Sequence, residues 1–317
     1  MTERRPPQPV VCGFDIGGHT ISAGTVTFED GAPRVVSRVT VPTPAERDIV
    51  ALLERLAEIV LLRASPEVPC FAGLAVPGFI DTERKNIVRL TNFVGCDGAA
   101  LGAMLAANLS VKKIRLSALM ENDANCAALG EGAAGAAAGL TDYAVVTLGT
   151  GIGCGIVTGG RLLRGAHGMA GEFGHVTSAA SELPCKCGGQ CHLETAASAD
   201  GTEAAARAAG LPSDFKTLWL RRNEPAVAKI ISPALEALAS ALASLTALLD
   251  PQCIVLSGGM SRAEGLAPEL ASRMQKYLSS PFREYCRLKT SSLGADAPII
   301  GAASLFFRDR LYGDDPK

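Results

Sequence analysis

The sequence VVCGFDIGGHTISAGTVTFED, residues 10–30, predicts a strand, a glycine-rich turn and a second, alternating strand. A hairpin at this place differs from the strand-to-helix turn of a dinucleotide-binding unit. Backbone N–H groups at Gly17 and Gly18 can approach a phosphate closely, and the carboxylate of Asp15 can act through Mg²⁺. Glycine pairs also occur in ordinary hairpins, so this turn alone does not identify a phosphate loop.

The same order of features recurs in the second half of the chain. A predicted strand at Tyr143–Leu148 runs into GTGIGCGIV at Gly149–Val157. Gly149 and Gly151 would give backbone access to a phosphate, and Thr150 would supply a hydroxyl. The recurrence indicates two duplicated half-domains of α/β type that hold a nucleotide between them.

Polar residues follow another predicted strand, Ile114–Met120, in the sequence ENDAN at Glu121–Asn125. A helix is predicted over about 124–132, and open α/β sheets hold ligands at such strand ends. We take Asp123 as the candidate general base, which would accept the proton of an attacking hydroxyl. The alternative is that Asn122 or Asp123 only caps the helix.

Thiols, imidazoles and carboxylates are concentrated in GEFGH (171–175) and CKCGGQCHLE (185–194). This density of N and S donors indicates a structural zinc site, with Glu172 and Glu194 placed beside it for a small polar ligand. Disulfides or redox-inert thiols are the alternative, but the C-x-C spacing is too tight for an easy bridge. The expected ligands are His175, Cys185, Cys187 and Cys191.

A further strand at Ile254–Leu256 leads into SGGM, where Gly258 and Gly259 before a helix would seat adenosine or a phosphate. Helices are also predicted at about 47–63, 202–209, 225–231 and 233–249, and after the loop in LGADAPIIGAASLFF (293–307).

Length and composition favour two domains, in a chain of 317 residues with a formal net charge of −2. We expect no nucleic-acid partner, because there is no basic stripe, and no membrane span, because the apolar runs are short. Ten cysteines without an export signal indicate a reducing, cytoplasmic environment. The expected boundaries are 1–121 plus 301–317 for a small domain and 122–300 for a large one that carries the cysteine knuckle.

Taken together and in order, these motifs resemble the repressor–open-reading-frame–kinase (ROK) family from about residue 10 to 306. The resemblance implies an actin/hexokinase-like (ribonuclease H-like) two-domain fold with a cleft, and ATP-dependent phosphorylation of a hexose, glucose first, at its 6-hydroxyl. It also implies a homodimer, Mg²⁺ and a structural Zn²⁺. The motifs that carry it are DIGGHT, PGFID, TNF, ENDAN, LGTGIGCG, GEFGH, CKCGGQCHLE, LSGG and LGADAPIIGAA.

The family's functional positions carry over residue by residue. The catalytic base falls on Asp123, and the adenosine contact on Gly258 and Gly259. His175 would serve twice, with one ring nitrogen on zinc and the other toward the sugar. The sugar contacts fall on Asn92, Asn122, Asp123, Glu172, His175 and Glu194. The phosphate loops fall on Asp15, Gly17, Gly18, His19 and Thr20, and on Gly149, Thr150 and Gly151.

Three departures from the family pattern stand out. His19 takes the usual threonine position, with Thr20 after it, and Asn86 takes the place of a glycine, where asparagine tolerates a left-handed turn. In the knuckle, His192 stands at the third cysteine position and Cys191 lies one residue early. Both Cys₃His and Cys₂His₂ zinc sites are chemically sound, and we favour Cys191 as the stronger ligand.

Other functions remain to be weighed against a glucokinase-like kinase. An N-acetylhexosamine, mannose, fructose or allose kinase needs only small changes in hydroxyl recognition. A sugar-responsive repressor would need a DNA-binding domain, and only about nine residues precede the first strand. A non-catalytic sugar-binding protein is disfavoured by the intact ENDAN motif.

Overall fold

The structure is a computed structural model, and it describes residues 9–29, 31–90, 93–178, 180 and 182–307. Its contacts divide the chain into two compact units. Unit 1 takes the described residues of 1–138, 164–170 and 295–317, and unit 2 takes those of 139–163 and 171–294. Each unit is built on one five-stranded sheet.

The sheet of unit 1 has the order β3-β2-β1-β4-β7. β1, β4 and β7 run parallel, β2 is antiparallel to β1, and β3 is antiparallel to β2. β5 and β6 form a separate hairpin. The strands are β1 (Val10–Ile16), β2 (Thr20–Glu29), β3 (Ala32–Pro42), β4 (Cys70–Val76), β5 (Gly78–Ile80), β6 (Ile87–Leu90) and β7 (Leu116–Asn122).

Four helices complete unit 1: α1 (Ile49–Leu61), α2 (Leu101–Ser110), α3 (Asp123–Ala134) and α10 (Ala297–Ser304). α1 begins after Asp48, whose carboxylate accepts the N–H of Ala51 (2.9 Å) and so caps the helix. Its apolar residues recur at helical spacing, and Leu52 and Leu56 are completely buried in the core of the unit. Burying one such side chain stabilises the fold by about 1.5–3 kcal/mol.

The C-terminal helix α10 packs very closely on unit 1 because glycines line its contacts. A Cβ at Gly13 of β1 or Gly73 of β4 would lie 1.9 Å from a backbone oxygen of α10. A Cβ at Gly130 of α3 would lie 2.0 Å from a backbone oxygen at the start of α10, and one at Gly301 would lie 1.7 Å from an oxygen of α3. A side chain larger than hydrogen therefore does not fit at any of these four positions.

Unit 2 repeats the sheet of unit 1, with the order β10-β9-β8-β11-β12. β8, β11 and β12 run parallel, β9 is antiparallel to β8, and β10 is antiparallel to β9. The strand directions match those of unit 1 position for position, in agreement with the duplication inferred from the two glycine-rich hairpins. The strands are β8 (Tyr143–Leu148), β9 (Ile152–Thr158), β10 (Arg161–Leu162), β11 (Cys253–Ser257) and β12 (Leu288–Thr290).

The helices of unit 2 are α4 (Leu193–Ala197), α5 (Ala199–Ala208), α6 (Phe215–Leu220), α7 (Pro225–Leu249), α8 (Leu266–Met274) and α9 (Ser280–Tyr285). The prediction of two helices broken before Pro233 is wrong, because α7 continues through that residue. α7 is the only helix among the described residues that is long and apolar enough to cross a membrane, and half of its most apolar window is buried inside the protein. Its buried side chains belong to the core of unit 2.

The division into units differs from the expected domain boundaries. We expected the first boundary at 121/122 and the last at 300/301, whereas the contacts divide the chain at 138/139 and at 294/295. α3 belongs to unit 1 because it packs against α10. The loop 164–170 also belongs to unit 1, although both of its neighbouring segments belong to unit 2.

Candidate functional site

In unit 1, the predicted phosphate loop is a hairpin between β1 and β2. The N–H of Gly17 donates to the carbonyl of Thr20 (2.9 Å), and a Cβ at Gly17 would lie 2.8 Å from that oxygen. Thr43 fixes the loop from the end of β3, because its N–H donates to His19 O (3.0 Å) and its Oγ1 donates to Gly17 O (2.7 Å). His19 and Thr20 are exposed, so the imidazole at the unusual position faces solvent.

The candidate base lies at the end of β7, where α3 begins. Asn122 caps this helix, since its Oδ1 accepts the N–H of Asn125 (3.1 Å), and its Nδ2 donates to Gly78 O (3.1 Å). Asp123 is the first helical residue, is half-buried, and accepts the N–H of Ala124 (2.8 Å). Asn122 is therefore the N-cap residue of α3, and Asp123 is its first helical residue.

Asp15 and Asp123 influence each other electrostatically within unit 1. Burial is the largest cause that raises the pKa of Asp15, to about 7, the negative charge of Asp123 adds to it, and Arg38 opposes it. A carboxylate whose ionisation is disfavoured by a neighbouring negative charge is a good place for a cation, and oxygen ligands suit Mg²⁺. These residues thus fit the magnesium ion expected with ATP.

The second glycine-rich loop, in unit 2, joins β8 to β9. The N–H of Gly149 donates to Gly151 O (3.0 Å), and the N–H of Ala199 donates to Gly149 O (2.8 Å). A Cβ at Gly149 would meet no atom within 4 Å, so its backbone borders open space, and Thr150 beside it is exposed. This loop therefore leaves room for a phosphate to approach the main chain.

Glu194, at the start of α4, lies against this second loop. Its Oε2 accepts the N–H of Ile152 (2.9 Å), and a Cβ at Gly151 would lie 2.3 Å from the same oxygen. Gly151 is therefore required so that the carboxylate can approach the hairpin.

The predicted adenosine contact follows β11, which lies beside β8 in the sheet. Gly258 has φ +83°, and a Cβ there would lie 2.4 Å from the carbonyl of Leu148. Gly259 has αR backbone angles and open space beside it. The expected helix does not begin at once, because a short 3₁₀ turn (Met260–Arg262) precedes α8.

Glu172 and His175 lie at the two ends of one 3₁₀ turn in unit 2. Nδ1 of His175 lies 2.9 Å from Oε2 of Glu172. This hydrogen bond is the largest cause that raises the pKa of His175, and charges on Glu172, Cys187 and Glu194 add to it against burial. The Glu172 partner orients the ring and leaves Nε2 as the nitrogen available to a metal, whereas we had expected the second nitrogen to face the sugar.

A cluster of four metal-ligating side chains forms in the cysteine knuckle. One donor atom from each of His175, Cys185, Cys187 and His192 lies within 4.8 Å of all the others. Nδ1 of His192 lies 3.3 Å from Sγ of Cys187, and the two imidazole rings are 4.9 Å apart between centroids. Two thiolates and two imidazoles are a donor set that zinc binds tetrahedrally, so the residues fit this metal.

The structure brings His192 into this cluster, whereas we had favoured Cys191. Cys191 has a left-handed backbone (φ +58°) and its carbonyl accepts the N–H of Ser178 (2.7 Å). Thr177 pairs with His192 in an isolated antiparallel bridge, which brings the segment after His175 beside His192. The assembled set is therefore Cys₂His₂, and it contains His192 in place of Cys191.

Several expected residues remain to be placed. Asn92 lies outside the described residues. Asn86 does not take the left-handed conformation; Arg84 does (φ 59°), and Nδ2 of Asn86 donates to Asp81 (2.7 Å). Sequence reasoning missed Arg164, which pairs with the buried Glu121, because nothing in the local sequence links two residues 43 positions apart.

Comparison with known proteins agrees with these motifs. The ROK family model matches residues 11–309. A glucokinase from Thermotoga maritima is 34% identical and covers 97% of this chain and 100% of its own length. An N-acetylmannosamine kinase from Shigella boydii is 30% identical and covers 94% of this chain and 98% of its own length.

Among solved structures, the ROK family glucokinase from Streptomyces griseus in complex with glucose and AMPPNP aligns with a TM-score of 0.79 and 27% identity. It covers 93% of this chain and 98% of its own. The fold class expected from the sequence, that of the actin/hexokinase-like kinases, is thereby confirmed. Because the family model matches nearly the whole length of this chain, the chain belongs to the ROK family.

Proposed function

We propose that this protein transfers the γ-phosphoryl group of ATP to the 6-hydroxyl of a hexose, with glucose as the preferred acceptor. The carrying observation is the position of Asp123: its half-buried carboxylate lies at the carboxyl end of β7, on the first residue of α3, which Asn122 caps. A full-length glucokinase at 34% identity and a glucokinase bound to an ATP analogue support the choice of sugar and nucleotide.

In the proposed reaction, Asp123 accepts the proton of the sugar hydroxyl while its oxygen attacks the γ-phosphorus of ATP. Backbone N–H groups of the two glycine-rich loops bind the phosphates, and the Gly258–Gly259 turn receives the adenosine. Asp15 would help to hold the Mg²⁺ that accompanies ATP, and the ion would neutralise charge on the phosphates. Asn92, Asn122, Glu172 and Glu194 bind ring hydroxyls of the sugar, and His175 orients Glu172.

We further propose that His175, Cys185, Cys187 and His192 hold a structural Zn²⁺. This ion would fix the knuckle that precedes α4 and so orient Glu194 and the Glu172–His175 pair. It would take no part in bond making.

The protein is further proposed to act in the cytoplasm as a homodimer. Light scattering should then give twice the 32.7 kDa mass of the chain. A mass equal to one chain at micromolar concentration would contradict the dimer.

The test is ADP release from ATP in the presence of a panel of hexoses, with the phosphorylated position assigned by NMR. Glucose should stimulate ADP release, whereas 6-deoxyglucose, which lacks the acceptor hydroxyl, should not. If only N-acetylmannosamine or another N-acetylhexosamine is phosphorylated, the alternative acceptor that the Shigella boydii relative favours is correct. If no sugar stimulates ADP release, the proposed activity is wrong.

A further inference from the structure

A buried ion pair adjoins the candidate base, although neither partner has a role in the proposed chemistry. Glu121 lies in β7 two residues before Asp123 and is 2% exposed. Its Oε2 accepts a hydrogen bond from Nε of Arg164 (2.9 Å), whose side chain is 23% exposed. A carboxylate at this depth is tolerated only when it is paired and hydrogen-bonded, so the two side chains fix each other.

The other oxygen of Glu121 is attached to the start of α3. Oε1 accepts the backbone N–H of Asn122 (3.1 Å) and Nδ2 of Asn125 (3.0 Å). Oδ1 of Asn125 and Nη2 of Arg164 are buried without a partner among the described residues. The carboxylate of Glu121 therefore connects the guanidinium of Arg164 to the backbone that leads into Asp123.

Arg164 is also the first residue of a closed loop, residues 164–170. The N–H of Ala170 donates to Arg164 O (3.0 Å) and closes the loop. Gly168 has φ +76°, and a Cβ there would lie 2.9 Å from the carbonyl of Ile80, so the loop packs against β5. Arg164 thus ties this loop to the start of α3 within unit 1.

We propose that Glu121 and Arg164 are positioning residues for the phosphoryl transfer: together they hold the Asp123 carboxylate and the loop 164–170 in register. This proposal rests on the proposed function, since it concerns the same reaction. Displacing a reacting group by about 1 Å lowers a rate by up to about 100-fold. We therefore expect loss of the pair to lower kcat about 10- to 100-fold, to raise KM for the sugar through Asn122, whose N–H bonds to Glu121, and to leave KM for ATP within about twofold.

Arg164→Met alone leaves the Glu121 charge buried without its partner and can unfold the protein. The decisive variant is therefore the double substitution Glu121→Gln with Arg164→Met, which removes both charges together. Arg164→Lys is the conservative variant, and it should recover at least a third of the wild-type kcat. Arg55→Met is the matched control, because Arg55 pairs with Glu58 on the surface of α1 in the same unit (3.2 Å), and it should keep kcat within twofold.

The proposal predicts that the double variant melts near the wild-type temperature and still shows the loss of kcat and the higher KM for the sugar. A purely structural pair would instead give wild-type kinetics wherever the fold is retained, and that result would overturn the proposal. Hydrogen exchange provides a readout independent of activity: the amides of 121–125 and 164–170 should exchange faster in the double variant but not in Arg55→Met.

Unchanged exchange, or faster exchange with unchanged kcat, would each refute the positioning role. Wild-type activity on the hexose panel is measured first, so that failure of the proposed function is recognised separately; an inactive wild type would remove the reaction and this role with it.

Discussion

Asp15→Asn should make the ligand-free protein more stable at pH 8, and this gain should nearly vanish at pH 4. The pKa of Asp15 is raised from 3.8 to about 7, chiefly by burial and then by the charge of Asp123. The folded state therefore holds this proton more tightly than the unfolded state does. Stability decreases as the pH rises from about 4 to about 7, and the full loss is present above that window.

The size of the effect follows from the shift. A rise of about three pKa units corresponds to at most about 4 kcal/mol, at 1.36 kcal/mol per unit. Part of the Asp15 residue is exposed to solvent. Because solvent screens its charge, we expect Asp15→Asn to stabilise the protein at pH 8 by only about 1–2 kcal/mol. Asparagine keeps the shape of the side chain and removes the charge.

The assay is urea unfolding of both proteins between pH 4 and pH 8 without nucleotide. Asp81→Asn in the same unit is the control of opposite sign. Burial tends to raise the pKa of Asp81, but hydrogen bonds from the Lys85 N–H (2.8 Å) and Asn86 Nδ2 (2.7 Å) outweigh it. The pKa of Asp81 is therefore lower than usual. Asp81→Asn should destabilise the protein at pH 8, and its effect should fade as the pH drops below about 4.

The reasoning about Asp15 would be refuted by a stability difference that does not change with pH, or by a less stable Asp15→Asn protein at pH 8. MgATP provides a second comparison. Because a cation favours the ionised carboxylate, wild type should gain more stability from MgATP at pH 8 than Asp15→Asn does. If MgATP stabilised both proteins equally, Asp15 would not be part of the magnesium site.

Three further predictions concern close contacts and the metal cluster. Gly301→Ala should lower the free energy of unfolding in urea by about 3 kcal/mol or more, since its Cβ would lie 1.7 Å from a backbone oxygen of α3. Gly259→Ala is the control: a Cβ there would meet open space, so the free energy of unfolding should change by less than about 1 kcal/mol. His192→Ala should lower the zinc content of the purified protein and Cys191→Ser should not; the reverse pattern would restore the Cys₃His site. Gly151→Ala should displace Glu194 and raise KM for the sugar, with KM unchanged as the contrary result.

The sequence was most informative where the chain signals locally. β8 has the predicted bounds, because it is a buried apolar run that ends at a glycine. The two glycine-rich hairpins also predicted the duplicated sheets, since Gly17 and Gly151 each lie where a Cβ would meet an oxygen atom. Such constraints act within a few residues and are therefore readable from the sequence.

Features that depend on distant contacts were not readable in this way. Pro233 predicted a helix break, but α7 packs along the core of unit 2, and that packing outweighs the lost backbone hydrogen bond. The choice of His192 over Cys191 depends on the left-handed backbone at residue 191 and on pairing with Thr177. The Glu121–Arg164 ion pair likewise joins two segments that are distant in the sequence, and no local pattern connects them.

Asp123 carries the proposed proton transfer. The decisive measurement is therefore kcat for hexose phosphorylation by Asp123→Asn, compared with kcat of the wild-type protein. We expect kcat to fall about 10²- to 10⁴-fold, the usual contribution of a general base, while the melting temperature stays near the wild-type value because Asn122 still caps α3. A folded Asp123→Asn protein with near wild-type kcat would contradict the central claim.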